Sequence, residues 1–180
     1  MTRQEITYHP HTYDIASYKE YHNGSLVKHD EYTEEGRITY ETLHDGRTSI
    51  TRYNKKDQYH GILTIHLNGI LVREIGYHND KLHGKEKSYD NKGRLESETD
   101  WFYQRLFGKS INYLNGDLWF SNNYYGGIRP SIVTMYDSSG QIIKKHLLDS
   151  KSKRMYTFVY MKTYKSLKPT SYKDFRLWVF

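Results

Sequence analysis

Glycines recur along this chain every 23 or 24 residues: Gly46, Gly69, Gly93, Gly116 and Gly140. A second series, Gly61, Gly84 and Gly108, runs out of phase with the first. Self-similarity at a fixed period marks a repeat architecture, in which each unit packs mainly on its neighbours. Such an array builds a long surface rather than one deep pocket. This periodicity constrains the fold more than any other feature of the sequence.

Aligned on its glycines, the chain has one unit from Tyr53 to Leu71, another from Tyr77 to Leu95, and a third from Phe102 to Leu118. A looser copy runs from Tyr124 to Gly140, and half-copies lie around Gly24, Gly36 and Gly46. Each copy has an aromatic residue or Leu, a few polar residues, Gly, one further residue, then an apolar one. Asn23-Gly24, Asp45-Gly46, Asn68-Gly69 and Asn115-Gly116 suit type I′ hairpin turns, which demand positive φ at both central positions. All eight glycines of the two series are expected at turns.

Between turns the side chains alternate. Leu63, Ile65 and Leu67 are set against Thr64 and His66, and three further sets share a face by parity: Leu71 with Ile75 and Tyr77, Ile111 with Tyr113, and Leu118 with Phe120. Turns about every 11–12 residues fit short strands in an antiparallel meander. The predicted fold is all-β. A single elongated, twisted or curled sheet of stacked hairpins spans 21–142, with an N-terminal cap at 1–20 and a divergent basic segment at 143–180.

Composition agrees. The apolar fraction is only 36%, but nineteen tyrosines supply large, strand-favouring side chains whose hydroxyls can stay wet. The absence of cysteine excludes disulfides and thiol chemistry. The first residues lack the apolar core of a signal peptide, and no apolar run is long enough to span a membrane, so the expected location is cytoplasmic. Asn23-Gly24-Ser25 matches a glycosylation acceptor but reads as a turn. Charge is lopsided. Residues 1–140 hold 17 Lys/Arg against 19 Asp/Glu, whereas residues 141–180 hold 10 against 2. The tail therefore carries the basicity, and its expected counterpart is acidic or phosphorylated.

The run Tyr77-His78-Asn79-Asp80-Lys81-Leu82-His83-Gly84, followed by Tyr89-Asp90-Asn91-Lys92-Gly93-Arg94-Leu95, resembles a MORN-type repeat. More narrowly, it is similar to the bacterial variant in antidote-like proteins of toxin–antitoxin systems. The likeness covers roughly residues 21–142. It departs from the family pattern near the first family glycine, where Asp57 and Asp80 stand. It implies a hairpin array that serves as an interaction module. The implied function is to mask or inhibit a partner protein, such as a toxin or effector, in a bacterial or phage conflict setting.

No motif for catalysis or a cofactor emerges. Phe107-Gly108-Lys109-Ser110 ends like a phosphate-binding loop, but the glycine required five residues before Gly108 is Tyr103. His60 and His83 each precede a repeat glycine, so repeat position explains them and they are expected to stack on neighbouring units. A metal trio with His66 is the alternative weighed against that. Glu96, Glu98 and Asp100 alternate along one strand, with Lys85 and Lys87 expected opposite them as a salt-bridge ladder.

The tail holds the candidate binding residues. These are Lys144, Lys145, Lys151, Lys153 and Arg154, then Tyr156, Phe158 and Tyr160 on one strand face, then Lys162 and Lys165. Basic groups beside aromatic rings can neutralise phosphates while the rings stack on bases. The same residues also fit an acidic protein partner, or a terminal strand capping the array with solvated lysines. The reading is a non-enzymatic binder of a partner protein, without metal or cofactor. Nucleic-acid or phospholigand binding through the tail is the alternative. Open sheet edges leave room for a homodimer.

Overall fold

The computed structural model describes residues 1–125, 131–148, 155–160 and 167–170. These form fifteen strands: β1 Thr2–Tyr8, β2 Ile15–His22, β3 Ser25–Thr33, β4 Gly36–Thr42, β5 Thr48–Asn54, β6 Gly61–Leu67, β7 Ile70–His78, β8 Lys81–Tyr89, β9 Leu95–Phe102, β10 Arg105–Leu114, β11 Asp117–Tyr124, β12 Ile132–Tyr136, β13 Ile142–Leu148, β14 Met155–Tyr160 and β15 Leu167–Thr170. They form a single sheet in sequence order, each strand antiparallel to the next. Among the described residues the sheet does not close, because β1 pairs only with β2 and β15 only with β14. The expected all-β hairpin meander is what the chain forms. No helix among the described residues is long and apolar enough to cross a membrane.

The two glycine series mark the two sides of this sheet. Gly46, Gly69, Gly93, Gly116 and Gly140, joined by Gly24, all sit in turns along one side. Gly61, Gly84 and Gly108 lie toward the other side and are not in turns, contrary to expectation. Gly61 opens β6, while Gly84 and Gly108 lie inside β8 and β10. Each faces an aromatic residue across the strand pair: Gly61 opposite Tyr77, Gly84 opposite Trp101, and Gly108 opposite Tyr124. Gly84 shows the reason. Its φ of +86° belongs to a bulge that side-chain-bearing residues adopt at a cost, and residues 83–85 bow around Gly76.

The turns also divide differently from expectation. Asn23-Gly24, Asn68-Gly69 and Asn115-Gly116 have positive φ at both positions, as type I′ requires. Asp45-Gly46 does not, since only Gly46 is left-handed. Gly46 N–H donates to Leu43 C=O at 2.9 Å, giving a type I turn closed by a glycine bulge. The turns at 54–58, 90–94 and 137–141 repeat that design. In each of these three, Asn54, Asp90 or Asp137 accepts backbone N–H bonds from residues two and four further on. Asp57 (φ 58°) and Asp80 (φ 64°) also take left-handed backbone.

Bulges overturn part of the expected alternation. Single extra residues, among them Val72 and Trp119, interrupt pairing just after the turns. Leu71 therefore pairs with His66, on the opposite face from Ile75 and Tyr77. Leu118 pairs with Tyr113, opposite Phe120. The result is a recurrent pair one step from the turn: Tyr21 with Leu26, Tyr89 with Leu95, Tyr113 with Leu118, Tyr136 with Ile142.

The sheet has no conventional core. Among the described residues Ile75 is the buried apolar side chain, at 7% exposure. Asp30, Thr39, Ser49 and Thr51 are buried on the same face. Stability must come from the backbone ladder and from many cross-strand pairs, each contributing about 0.2–1 kcal/mol. Two glycines are required by close approach. A Cβ on Gly36 would lie 2.0 Å from Tyr53 C=O oxygen, and one on Gly76 would lie 2.3 Å from His83 C=O oxygen. The turn glycine Gly116 meets nothing within 4 Å. Gly116→Ala should therefore cost about 1 kcal/mol, from left-handed φ alone. Gly36→Ala and Gly76→Ala should each cost roughly two to three times as much, because backbone must separate. Denaturant midpoints of the three variants measure this ranking, and equal losses would contradict it.

Candidate interaction surface

Rings from five successive strands and loops gather along the side marked by Gly61, Gly84 and Gly108. On one face Arg37 lies over Tyr53 (4.1 Å), Tyr53 stacks on Tyr59 (5.0 Å), and Tyr59 meets Tyr77 (5.2 Å). On the other face His60 meets His78 (4.8 Å), and His78 meets His83 (5.7 Å). His83 then meets Phe102 (5.4 Å), and Phe102 meets Phe107 (5.9 Å). Tyr103, at a turn, closes on His83 (4.8 Å) and on Phe102 (4.9 Å). The repeat creates this row. His60, His83 and Phe107 each precede a bulge glycine; His60 and His83 lean on the following hairpin, through His78 and Phe102, whereas Phe107 leans back on Phe102 of the preceding strand. Phe102 and Phe107 are each 52% exposed and Tyr103 is 43% exposed. Isolated exposed apolar residues are ordinary, whereas a contiguous ring row is not.

Beside the row runs a shallow trough of about 370 Å³. Gly61, Gly76 and Gly84 line it, with Ile62 and His83 at one end and Glu74, Lys85 and Lys87 at the other. Its charges are matched. Lys85 pairs with Glu98 and, at 3.3 Å, with Asp100, and Lys87 lies 3.6 Å from Glu74. The expected ladder is therefore present, with Lys85 directly opposite Asp100 and Lys87 opposite Glu98. Glu96 falls at a bulge and leaves the alternation. Glu74 also accepts the Tyr89 hydroxyl at 2.6 Å.

The opposite face holds a second polar network. Buried Asp30 accepts the Thr39 hydroxyl (2.6 Å) and lies 3.3 Å from both Lys28 and Arg37. Arg37 also grips Asp57 at 2.6 Å. A buried carboxylate so fully paired is a structural element, tying β3, β4 and the β5–β6 loop together.

The histidines stack as the repeat suggested, but His66 lies at the far end of β6 from Gly61 and pairs with Leu71. The trio with His60 and His83 is not brought together. Among the described residues no group of three or more His, Cys, Asp or Glu side chains could hold a metal. Lys109, in the phosphate-loop-like segment, lies in β10, where its N–H donates to Asp100 at 2.9 Å. Gly108 is a strand bulge there.

Of the tail candidates, Lys144 and Lys145 lie in β13 on opposite faces, opposite Met135 and Thr134. Tyr156, Phe158 and Tyr160 alternate along β14, which continues the sheet, and Phe158 is in register with Lys145. Burial, with the positive charge of Lys144, holds the His146 imidazole below its usual range. Lys151, Lys153, Arg154, Lys162 and Lys165 lie outside the described residues. The sequence reading missed the continuous ring row. Its signal was the aromatic or His residue immediately before each out-of-phase glycine.

Two tyrosines report on this packing. Burial and the hydrogen bond with Tyr59 push the Tyr53 phenol up to about 12, and burial with the Glu74 hydrogen bond does the same for Tyr89. Both are neutral in the folded and unfolded chain below pH 10. Above that only the unfolded chain ionises readily, so stability is lost as pH rises from about 10 to about 12. Tyr53→Phe and Tyr89→Phe should each make thermal stability less sensitive to pH across that window. Phenolate absorbance should show at least two tyrosines titrating late in the wild type, since Tyr18, Tyr40, Tyr77 and Tyr124 are also raised. A wild type whose tyrosines all titrate near 10 while folded would contradict this.

No protein-family model matches this sequence, and no curated protein matches it.

Proposed function

We propose that this chain is a non-enzymatic binding protein that engages a partner protein and masks or inhibits it, in the manner of a toxin- or effector-neutralising module. The observation that carries this reading is the exposed rings Phe102, Tyr103 and Phe107, packed on half-buried His83 beside the glycine-lined trough. Aromatic side chains supply large contact area with little rotamer entropy to lose, and they are enriched where protein interfaces concentrate binding energy. The row sits on a ladder of paired strands, which pre-organises it. Paired charges beside it suit a rim that excludes water more than a centre that captures phosphate. The inhibitory sense of the binding comes from the resemblance of Tyr77–Gly84 and Tyr89–Leu95 to MORN-type units of antidote-like proteins.

The test is recovery of a partner from bacterial lysate by the full chain, compared across two variants. Phe102→Asp with Phe107→Asp should reduce recovery of that partner at least about tenfold, the loss expected for two central interface rings. Exchanging Lys151, Lys153 and Arg154 for Glu should leave recovery unchanged, and raised salt should alter it little. The reading fails if the ring variant retains the partner. It also fails if nucleic acid is recovered with an affinity that falls steeply with salt and vanishes in the tail variant, as phosphate contacts require.

A further inference from the structure

We infer that two copies of this chain join through β1, edge to edge and antiparallel, about a two-fold axis at Gln4. Among the described residues β1 has a neighbour on one side only, and six of its seven residues are exposed. Asn23 N–H donates to Met1 C=O at 3.0 Å, so the backbone groups of residue 1 turn toward β2. Strand alternation then turns those of Arg3, Glu5 and Thr7 the same way. The N–H and C=O groups of Thr2, Gln4 and Ile6 point outward and are left for another strand.

An unpaired strand is normally blunted by charge, but the charges on β1 complement themselves. Arg3 and Glu5 sit two apart on one face and already form an ion pair within the strand. With the axis at Gln4, Gln4 meets Gln4 and Thr2 meets Ile6 in hydrogen-bonded positions. Arg3 of each copy then lies opposite Glu5 of the other in the closer, non-hydrogen-bonded positions. Shifting the axis to Arg3 or Glu5 also matches the outward groups, but sets like charges against each other. Among registers with the axis at Arg3, Gln4 or Glu5, the opposite charges thus select the one at Gln4. Among the described residues, the other edge of the sheet is β15, which is unsuited to the same role because it carries Lys168 and Pro169 within four residues. The contact is therefore isologous and closes at two copies rather than growing into a filament.

The chain has no cysteine, so one introduced thiol reports on the contact without interference. The full chain, with any purification tag at its C-terminal end, is expected to sediment at twice its 21.6 kDa mass. Gln4→Cys should cross-link to a disulfide dimer under mild oxidation, because directly paired residues lie within disulfide reach, while Glu5→Cys should not. Arg3→Glu and Glu5→Arg should each abolish the dimer, and the double exchange Arg3→Glu with Glu5→Arg should restore it. Far-UV circular dichroism checks that every variant keeps its sheet. The cross-link keeps the test decisive should a charge variant misfold. A monomer at every concentration without a Gln4→Cys cross-link overturns the inference, and preferential cross-linking through Glu5→Cys overturns its register.

Discussion

Nearly all the stabilising contacts described in this chain lie between strands that are neighbours in sequence. A single layer of sheet has no second layer to bury its apolar side chains, and Ile75 stands as the buried apolar residue among those described. The backbone ladder must therefore be complemented by side chains that gain from a half-wet surface. Tyrosine does this, pressing its ring on a neighbour while its hydroxyl finds a carboxylate. Tyr21 bonds Glu5, Tyr40 bonds Glu31 and Tyr89 bonds Glu74, each on the preceding strand. Nineteen tyrosines in 180 residues follow from this requirement. Cohesion is local, so it sums along the array as in other one-dimensional folds.

The same constraint creates the surface. The side of the in-phase glycine turns presents mainly Asn, Asp and Gly. The other side carries the bulge glycines, and between Gly61, Gly76 and Gly84 a shallow trough opens. The rings before the bulges lean on neighbouring strands, His60 on His78, and His83 and Phe107 on Phe102. His60, His83 and Phe107 occupy this one place in three successive units. His60 and Phe107 stand exposed along this flank, with His83 half-buried between them.

Much of the architecture was legible in the sequence. Asn-Gly pairs located turns, and parity along the strands placed Lys85 and Lys87 opposite Asp100 and Glu98. What parity could not deliver was the bulge. One extra residue at Val72 or Trp119 rotates everything beyond it, so Leu71 and Leu118 appear on the face that simple alternation denies them. The Asp45-Gly46 pair illustrates a second limit, since the same dipeptide serves a type I′ turn or a type I turn with a glycine bulge, according to the length of the loop around it. The close approaches at Gly36 and Gly76 carry no local signature, because the backbone they accommodate comes from another strand. The ring row was half visible, in the residues preceding the out-of-phase glycines. Its continuity through Phe102 and Tyr103 depends on register, which composition does not encode.

The most direct test is a set of backbone nuclear Overhauser contacts across the strand pairs of the full chain. Contacts are expected between Ile65 and Arg73, between Glu86 and Thr99, and between Ile111 and Ser121, each linking only neighbouring strands. Contacts between strands distant in order, such as β3 with β9, or helical contacts within Tyr53–Leu118, would contradict a single-layer array held together neighbour by neighbour.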